Sequence, residues 1–158
     1  MTMNSTTTAV ITAASGNGTA IEVITSPLAR TEYVSRGRIL GENTERLGAE
    51  QAGFLVLSQS QSHFEMAGGE FCGNASRAAA VLFSELRGTG DVEFTVSGFK
   101  GLVSATVDKR SDNEYYARCR FPGMPVGVYP VEGHEQTINI VDLGGIVHVV
   151  VDSRFPAR

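Results

Sequence analysis

The chain has 158 residues, 42% of them hydrophobic, which is enough for one domain with its own core and part of a second. Its net charge of −4, from 13 basic and 17 acidic residues without a lysine- or arginine-rich run, argues against a nucleic-acid partner. No apolar stretch approaches the roughly 20 residues that cross a bilayer, and the amino terminus is polar, so we expect a cytoplasmic protein.

The first third of the chain predicts strands and one helix. Residues 7–26, TTAVITAASGNGTAIEVITS, alternate apolar and polar residues on both sides of a glycine- and asparagine-containing turn, which predicts a β-hairpin. Residues 35–49 place Ile39, Leu40 and Leu47 at helical spacing and predict a helix. Strand composition then returns in two segments, residues 52–60 and 62–68.

A second helix is predicted over residues 75–88, ASRAAAVLFSELRG. It is almost entirely apolar for two turns and should be buried, and Gly88 should end it. Its apolar face is predicted to contain Ala78, Val81, Leu82 and Leu86. Three strands should follow, in residues 91–99, 101–108 and 114–121.

The end of the chain differs in composition. Residues 121–136 contain three of the five prolines and predict an extended connection, after which residues 137–152 supply one or two strands. We therefore predict an α+β fold in which a curled, mixed or antiparallel sheet surrounds a central helix. The domain prediction is an N-terminal domain, residues 1–125, followed at 126–158 by a linker and the first strands of an incomplete second domain.

Cys72 stands at the start of the second predicted helix, in the segment GGEFCGNASR. Gly73 and Asn74 should permit a tight entry into the helix, so that N–H groups without intrahelical partners point past the sulfur. The positive end of the helix dipole would stabilise a thiolate or a bound carboxylate there. The alternative is that Cys72 is a small buried residue, because free cysteines are usually buried.

The spacing of the two cysteines excludes other types of site. Cys72 and Cys119 are far apart in the sequence, and neither has a second cysteine nearby. The pair therefore predicts neither a zinc knuckle nor a disulfide framework, and we expect no metal and two free thiols.

The segment around Cys72 resembles the first half-site of the cofactor-independent amino-acid racemases and epimerases of the diaminopimelate epimerase fold. Their motif is cysteine, glycine, asparagine, two small residues and arginine, which corresponds here to Cys72, Gly73, Asn74, Ala75, Ser76 and Arg77. The longer stretch MAGGEFCGNA is most similar to the histidine racemases of opine-metallophore (staphylopine-type) biosynthesis. Upstream, SGNGTAIEV and GAEQAGFLVL resemble other parts of the family, and VDLGGIVHVVV resembles the opening strand of its second domain.

The resemblance implies racemisation without pyridoxal phosphate or any other cofactor. In this family one cysteine thiolate removes the α-proton and a second thiol, on the opposite face, donates one. Cys72 would be one of the two bases, and the N–H groups of Gly73 and Asn74 would hold the substrate carboxylate. Asn17 and Gln51 match positions that contact substrate, although alone they are typical of a turn asparagine and a solvent-facing glutamine.

The second catalytic cysteine of the family lies in a second domain, beyond the motifs matched here. Cys119 does not replace it, because it lies in a strand pattern and no glycine follows it. The resemblance therefore implies the N-terminal half of an active site. Three explanations remain open: a split enzyme whose partner chain brings the second half, a piece of a longer racemase, or a homodimer that pairs two copies of Cys72.

Two further features bear on the substrate. Glu50 could meet a basic substrate side chain, although an exposed carboxylate is the simpler interpretation. Many diaminopimelate epimerases have Gly-Asn-Pro-His at the start of the second domain, whereas residues 145–148 here are Gly-Ile-Val-His. The missing side-chain amide favours a plain amino acid such as histidine over a substrate with a second amino-acid head group.

Other functions are compatible with these residues. Cys72 with His63 or His148 could form a nucleophile and base for acyl transfer or hydrolysis. The domain could also bind an amino acid without turnover, as a regulatory module. The isomerases of the phenazine-synthesis type use an acidic residue where Cys72 stands, so the cysteine argues against them.

Overall fold

A computed structural model describes residues 7–13, 16–58, 62–132, 137–144 and 147–150. Parts of several predicted segments, among them the hairpin turn at 14–15 and residues 145–146 of the altered motif, lie outside the described residues. The chain divides into two compact units, Met1–Pro122 and Gly123–Arg158.

The described part of the first unit contains seven strands and two α-helices. In chain order they are β1 (Thr8–Thr12), β2 (Gly18–Ile24), α1 (Arg30–Thr44), β3 (Ala49–Leu57), β4 (Ser62–Met66), α2 (Gly73–Arg87), β5 (Asp91–Val96), β6 (Val103–Ser111) and β7 (Glu114–Arg120). The strands form one sheet in the order β1 to β7. The β2–β3 and β4–β5 pairs are parallel and the others antiparallel, so the predicted α+β chain with a mixed sheet is confirmed.

Helix α1 lies five residues closer to the amino terminus than the predicted 35–49. The side chain of Glu32 accepts a hydrogen bond of 2.8 Å from the N–H of Ala29, which caps the first turn. The predicted apolar face is also wrong, because Ile39 and Leu47 are exposed and only Leu40 is buried. The buried positions are Tyr33, Gly37, Leu40 and Thr44, a helical spacing that includes a glycine and a threonine.

Two glycines of α1 provide a matched test of its packing. A Cβ at Gly37 would lie 2.2 Å from the Cβ of Ala67, whereas a Cβ at Gly41 would meet nothing within 4 Å. We expect Gly37→Ala to lower the free energy of unfolding by about 1–3 kcal/mol. Gly41→Ala should raise it by about 0.5–1 kcal/mol, because alanine restricts the unfolded chain and favours the helix. Urea unfolding measures both, and equal effects would contradict this contact.

Helix α2 is buried as predicted. Residues 78–84 are all buried, and Gly88 ends the helix with a left-handed φ of 66° while its N–H binds the carbonyl of Ser84. Leu86, predicted on the apolar face, is instead exposed, because the buried part of the helix ends one turn before its last residue.

The two helices pack on opposite faces of the sheet. Along β2, Ala20 belongs to the cluster that contains Leu40 of α1, while the next residue, Ile21, belongs to the large cluster around α2. This alternation follows from the two-residue period of a strand. Within the larger cluster the rings of Phe83 and Phe94, both fully buried, lie 4.9 Å apart.

The second unit contains a three-stranded antiparallel sheet in its described residues. Strands β8 (Gly127–Glu132), β9 (Thr137–Asp142) and β10 (Val147–Val150) pair in the order β10, β9, β8. Residues 121–136 were predicted to be only a connection, and β8 corrects this, because it pairs with β9 over its whole length. Several of its large apolar side chains are exposed: Val128, Tyr129, Val131, Val147, Val149 and Val150.

Candidate functional site

Cys72 is the N-cap residue of α2. Its backbone is extended, with φ −142° and ψ 116°, and its carbonyl accepts the first intrahelical bond, of 2.9 Å, from the N–H of Ser76. Its sulfur accepts a bond of 3.5 Å from the N–H of Ala75. The thiol is half-buried at the edge of the core cluster around α2, so the sulfur is neither sealed in the core nor fully exposed.

The first turn of α2 presents backbone donors beside this sulfur. Since the first intrahelical donor is the N–H of Ser76 and the N–H of Ala75 binds the sulfur, the N–H groups of Gly73 and Asn74 have no acceptor within the helix. A Cβ at Gly73 would meet nothing within 4 Å, and its φ is not positive. A side chain at this position would therefore point into open space.

A chain of side-chain hydrogen bonds connects Cys72 to β2 and β3. The thiol donates to Gln51 Oε1 at 3.4 Å. Gln51 Nε2 donates to Asn17 Oδ1 and to Thr19 Oγ1, both at 2.8 Å. Asn17 Nδ2 in turn donates to Glu50 Oε2 at 3.2 Å. The structure thus brings together Cys72, Gln51 and Asn17, and adds Thr19, which the sequence analysis did not identify.

Strand register explains how Glu50 and Gln51 both reach Asn17. Neighbouring residues of a regular strand point to opposite faces. The β2–β3 pairing shifts here, because Gly18 lies opposite Ala49 but Thr19 lies opposite Gln51, which leaves Glu50 as an extra residue. Such an irregularity re-aims side chains, and it lets two consecutive residues bind one asparagine.

Three phenylalanines, one of them the residue before Cys72, form an aromatic cluster. The ring of Phe71 lies 5.1 Å from that of Phe121, at 90°, and 6.4 Å from that of Phe99. The rings of Phe99 and Phe121 are 5.6 Å apart. These residues come from three separate loops and strand ends, so periodicity could not predict the cluster. It gives the residue preceding Cys72 an apolar, half-buried surrounding.

Cys119 lies in β7 opposite Ala105 and packs against the core around α2. Burial raises the pKa of its thiol to about 11, an effect that the nearby Arg77 guanidinium partly opposes. A thiol with this pKa is almost entirely protonated at neutral pH, which does not suit a base.

The raised pKa of Cys119 gives a testable pH dependence. In a Cys72→Ser chain, alkylation of Cys119 by iodoacetamide should follow a pH profile with a midpoint near 11 when folded, against about 9.0 in urea. Because the folded state disfavours the thiolate, the stability contributed below pH 9.0 should be lost as the pH rises through 11. A folded midpoint at or below the urea midpoint would contradict this burial.

Other candidate residues lie elsewhere. The His63 ring is held by Thr95 Oγ1 at 2.8 Å and Glu65 Oε2 at 2.7 Å, so its described partners do not include Cys72. Among the described residues, no three or more His, Cys, Asp or Glu side chains are grouped to hold a metal ion. Within the same ranges, no helix has the length and apolarity to cross a membrane.

Two surface depressions also lie away from the thiol. One, of about 580 Å³, is lined by residues of β5–β7 and by the last residue of α2, and includes Arg87, Arg118 and Arg120. The other, of about 290 Å³, adjoins the C-terminal end of α2 at Gly88. Neither lining contains Cys72 or the side chains hydrogen-bonded to it.

Comparison with known proteins identifies the family. Residues 15–156 match the family described as the histidine racemase CntK N-terminal domain. The chain belongs to this family. Its membership of the histidine racemase CntK N-terminal domain family confirms the resemblance that was inferred from the segment around Cys72.

Two curated histidine racemases show how much of a whole protein this family domain represents. Both come from strains of Fusobacterium nucleatum subsp. nucleatum, and they are 33% identical to the chain over 111 and 114 residues. Each match covers 66% of this chain but only 39% or 40% of the relative. The chain therefore spans about two-fifths of the length of the curated relatives it matches.

A solved structure supports the fold of this racemase-family domain. A putative phenazine biosynthesis PhzC/PhzF protein from Clostridium difficile (strain 630) superimposes with a TM-score of 0.51 and 15% identity. The match covers 78% of this chain and 48% of the other. At this identity it shows a shared fold, which is of the diaminopimelate-epimerase-like type.

Proposed function

We propose that this chain is the N-terminal half of an amino-acid racemase that acts on histidine and uses Cys72 as one of two bases. The observation that carries the proposal is the half-buried Cys72 sulfur at the N-terminus of α2, with the N–H of Ala75 directed at it. A helix N-terminus stabilises the negative charge of a thiolate, the form that a two-base reaction requires of each cysteine at one stage. Family membership supports the racemase reaction, and the named relatives support histidine.

In this proposal the substrate carboxylate binds the N–H groups of Gly73 and Asn74. They have no intrahelical acceptor, and a Cβ added at Gly73 would lie in open space. Donors held at fixed positions stabilise the charge that spreads onto the carboxylate as the α-proton leaves. Asn17 and Gln51 extend the same polar surface and contact the substrate head group. This chemistry needs no pyridoxal phosphate.

The second base comes from outside this half-site. Inversion needs a proton donor on the opposite face of the carbanion, and Cys119 is poorly suited because burial raises its pKa to about 11. We propose that a partner chain, or the remainder of a longer racemase, supplies the second cysteine. Residues 1–125 then form the first epimerase-like domain, with α2 as its central helix, and residues 126–158 begin the second. Two free cysteines are compatible with a reducing, cytoplasmic location.

To test this proposal, L-histidine is incubated in heavy water with the chain alone and with the chain plus the product of the adjacent reading frame. Mass spectrometry follows α-deuteration, and chiral chromatography follows D-histidine. The proposal expects both to appear together in the complete enzyme. A tight histidine complex without exchange would instead indicate a binding module. Release of an amine or acid from an amide or ester, without exchange, would indicate an acyl transferase or hydrolase.

A further inference from the structure

The hydrogen bonds that lead to Cys72 fix the orientation of two side-chain amides. An ionised carboxylate only accepts hydrogen bonds, so Glu50 requires the NH₂ group of Asn17 to face it. The carbonyl oxygen of Asn17 then faces Gln51 and requires its NH₂ group. The remaining atom of the Gln51 amide, Oε1, is left facing the Cys72 sulfur at 3.4 Å.

Thr19 holds the amide of Gln51 in place from the other side. Its hydroxyl oxygen accepts the second Nε2 hydrogen of Gln51 at 2.8 Å, so both amide hydrogens have acceptors. Reversing the amide would place Oε1 against the Asn17 carbonyl oxygen and give up that bond, whereas the Thr19 hydroxyl, which can also donate, fixes the place of the amide rather than its orientation. Thr19 is only 1% exposed, so it cannot touch a ligand and acts only through Gln51.

The two hydrogen-bond partners of the Cys72 sulfur are one donor and one acceptor. They match a thiol, which can accept and donate, and do not match a thiolate, which can only accept. A thiol can accept from the N–H of Ala75 and donate to Gln51 Oε1 at the same time. A thiolate would keep the first bond but would face the carbonyl oxygen of Gln51 with no hydrogen between them. The charged side chains of the adjoining segments are Glu50, Glu70, whose carboxylate lies beside Gly68, and Arg77, which binds Asn74.

We propose that Thr19 and Glu50 are positioning residues that hold the Gln51 carbonyl on Cys72, so that Cys72 rests as the thiol and enters the first turnover as the proton donor. This inference rests on the proposed racemase function. In the step it describes, the base on the opposite face takes the α-proton, and the Cys72 S–H bond breaks to give its proton to the carbanion. The product gains a C–H bond and Cys72 is left as a thiolate, which the helix N-terminus stabilises.

The test compares Thr19→Val, Thr19→Ser and Glu50→Gln in a Cys119→Ser chain, so that Cys72 is the single thiol. Iodoacetamide alkylation is measured between pH 6 and 10 without substrate, because the thiolate is the reacting form. Thr19→Val should alkylate about 3- to 10-fold faster at pH 7, the effect of freeing one thiol hydrogen bond. Glu50→Gln should change the rate in the same direction, and Thr19→Ser should match the parent chain.

The outcomes separate this inference from the proposed function. Parent-like or slower alkylation in both Thr19→Val and Glu50→Gln would overturn the positioning role even if the complete enzyme exchanges α-deuterium. If the predicted alkylation pattern appears but the complete enzyme shows no exchange, the positioning of Cys72 stands and the racemase function fails. Glu50 is exposed, so Glu50→Gln remains informative if Thr19→Val does not fold.

Discussion

Replacing Cys72 with serine should lower α-deuteration of histidine by the complete enzyme by about 10²- to 10⁴-fold, the usual contribution of a positioned acid or base. A serine hydroxyl is far less acidic than a thiol, so it is a much weaker proton donor to the carbanion and cannot provide the charged base. The fold should be retained, because serine is itself a favoured N-cap residue and can accept from the N–H of Ala75. Exchange in heavy water, followed by mass spectrometry, measures the loss.

The matched control is Cys119→Ser. Cys119 packs in the sheet with a pKa of about 11 and has no place in the proposed reaction, so this variant should exchange at nearly the parent rate. A pattern in which Cys119→Ser abolishes exchange and Cys72→Ser does not would move the active site away from the N-terminus of α2.

Phe83→Ala should lower the free energy of unfolding by about 3–5 kcal/mol, the range for removing a fully buried phenylalanine. Phe83 is 0% exposed and its ring contacts Phe94, also 0% exposed, at the interface between α2 and the sheet. Its removal takes apolar surface out of the core and leaves a cavity that the surrounding strands fill only in part. Urea unfolding followed by circular dichroism measures the change.

Leu86→Ala, in the same helix, serves as its control. The Leu86 side chain is 45% exposed, so its truncation should change the free energy of unfolding by less than about 1 kcal/mol. Similar losses in the two variants would mean that the last turn of α2 packs as tightly as its centre, which contradicts the exposure of Leu86.

The elements around the site were largely predictable from local patterns. The hairpin strands β1 and β2, the buried helix α2 and its end at Gly88 follow from alternation, from an apolar run and from a glycine stop signal. Helix α1 shows where this reasoning fails. Its buried face includes Gly37 against Ala67 and Thr44, whose hydroxyl bonds to the carbonyl of Leu40, so apolar spacing pointed to the wrong residues.

The site itself was predictable only in part. The motif at residues 72–77 identified Cys72 and the helix N-terminus, because these are contiguous in sequence. The resemblance also pointed to Asn17 and Gln51, yet their contact depends on the parallel pairing of β2 with β3, which no local pattern encodes. Thr19 gave no signal at all, since a threonine in a strand is ordinary until its neighbour across the sheet is known.

The extra residue in β3, Glu50, stands outside the β2–β3 pairing. Without Glu50, Ala49 and Gln51 would be adjacent and would face Gly18 and Thr19 in unbroken register, so the ladder does not depend on residue 50. Glu50 adds an anion that orients the amide of Asn17 and, through it, the amide of Gln51. The sulfur of Cys72 therefore faces Gln51 Oε1. The irregular strand thus allows a solvent-facing side chain to orient the hydrogen-bond partner of the sulfur without altering the packed interior.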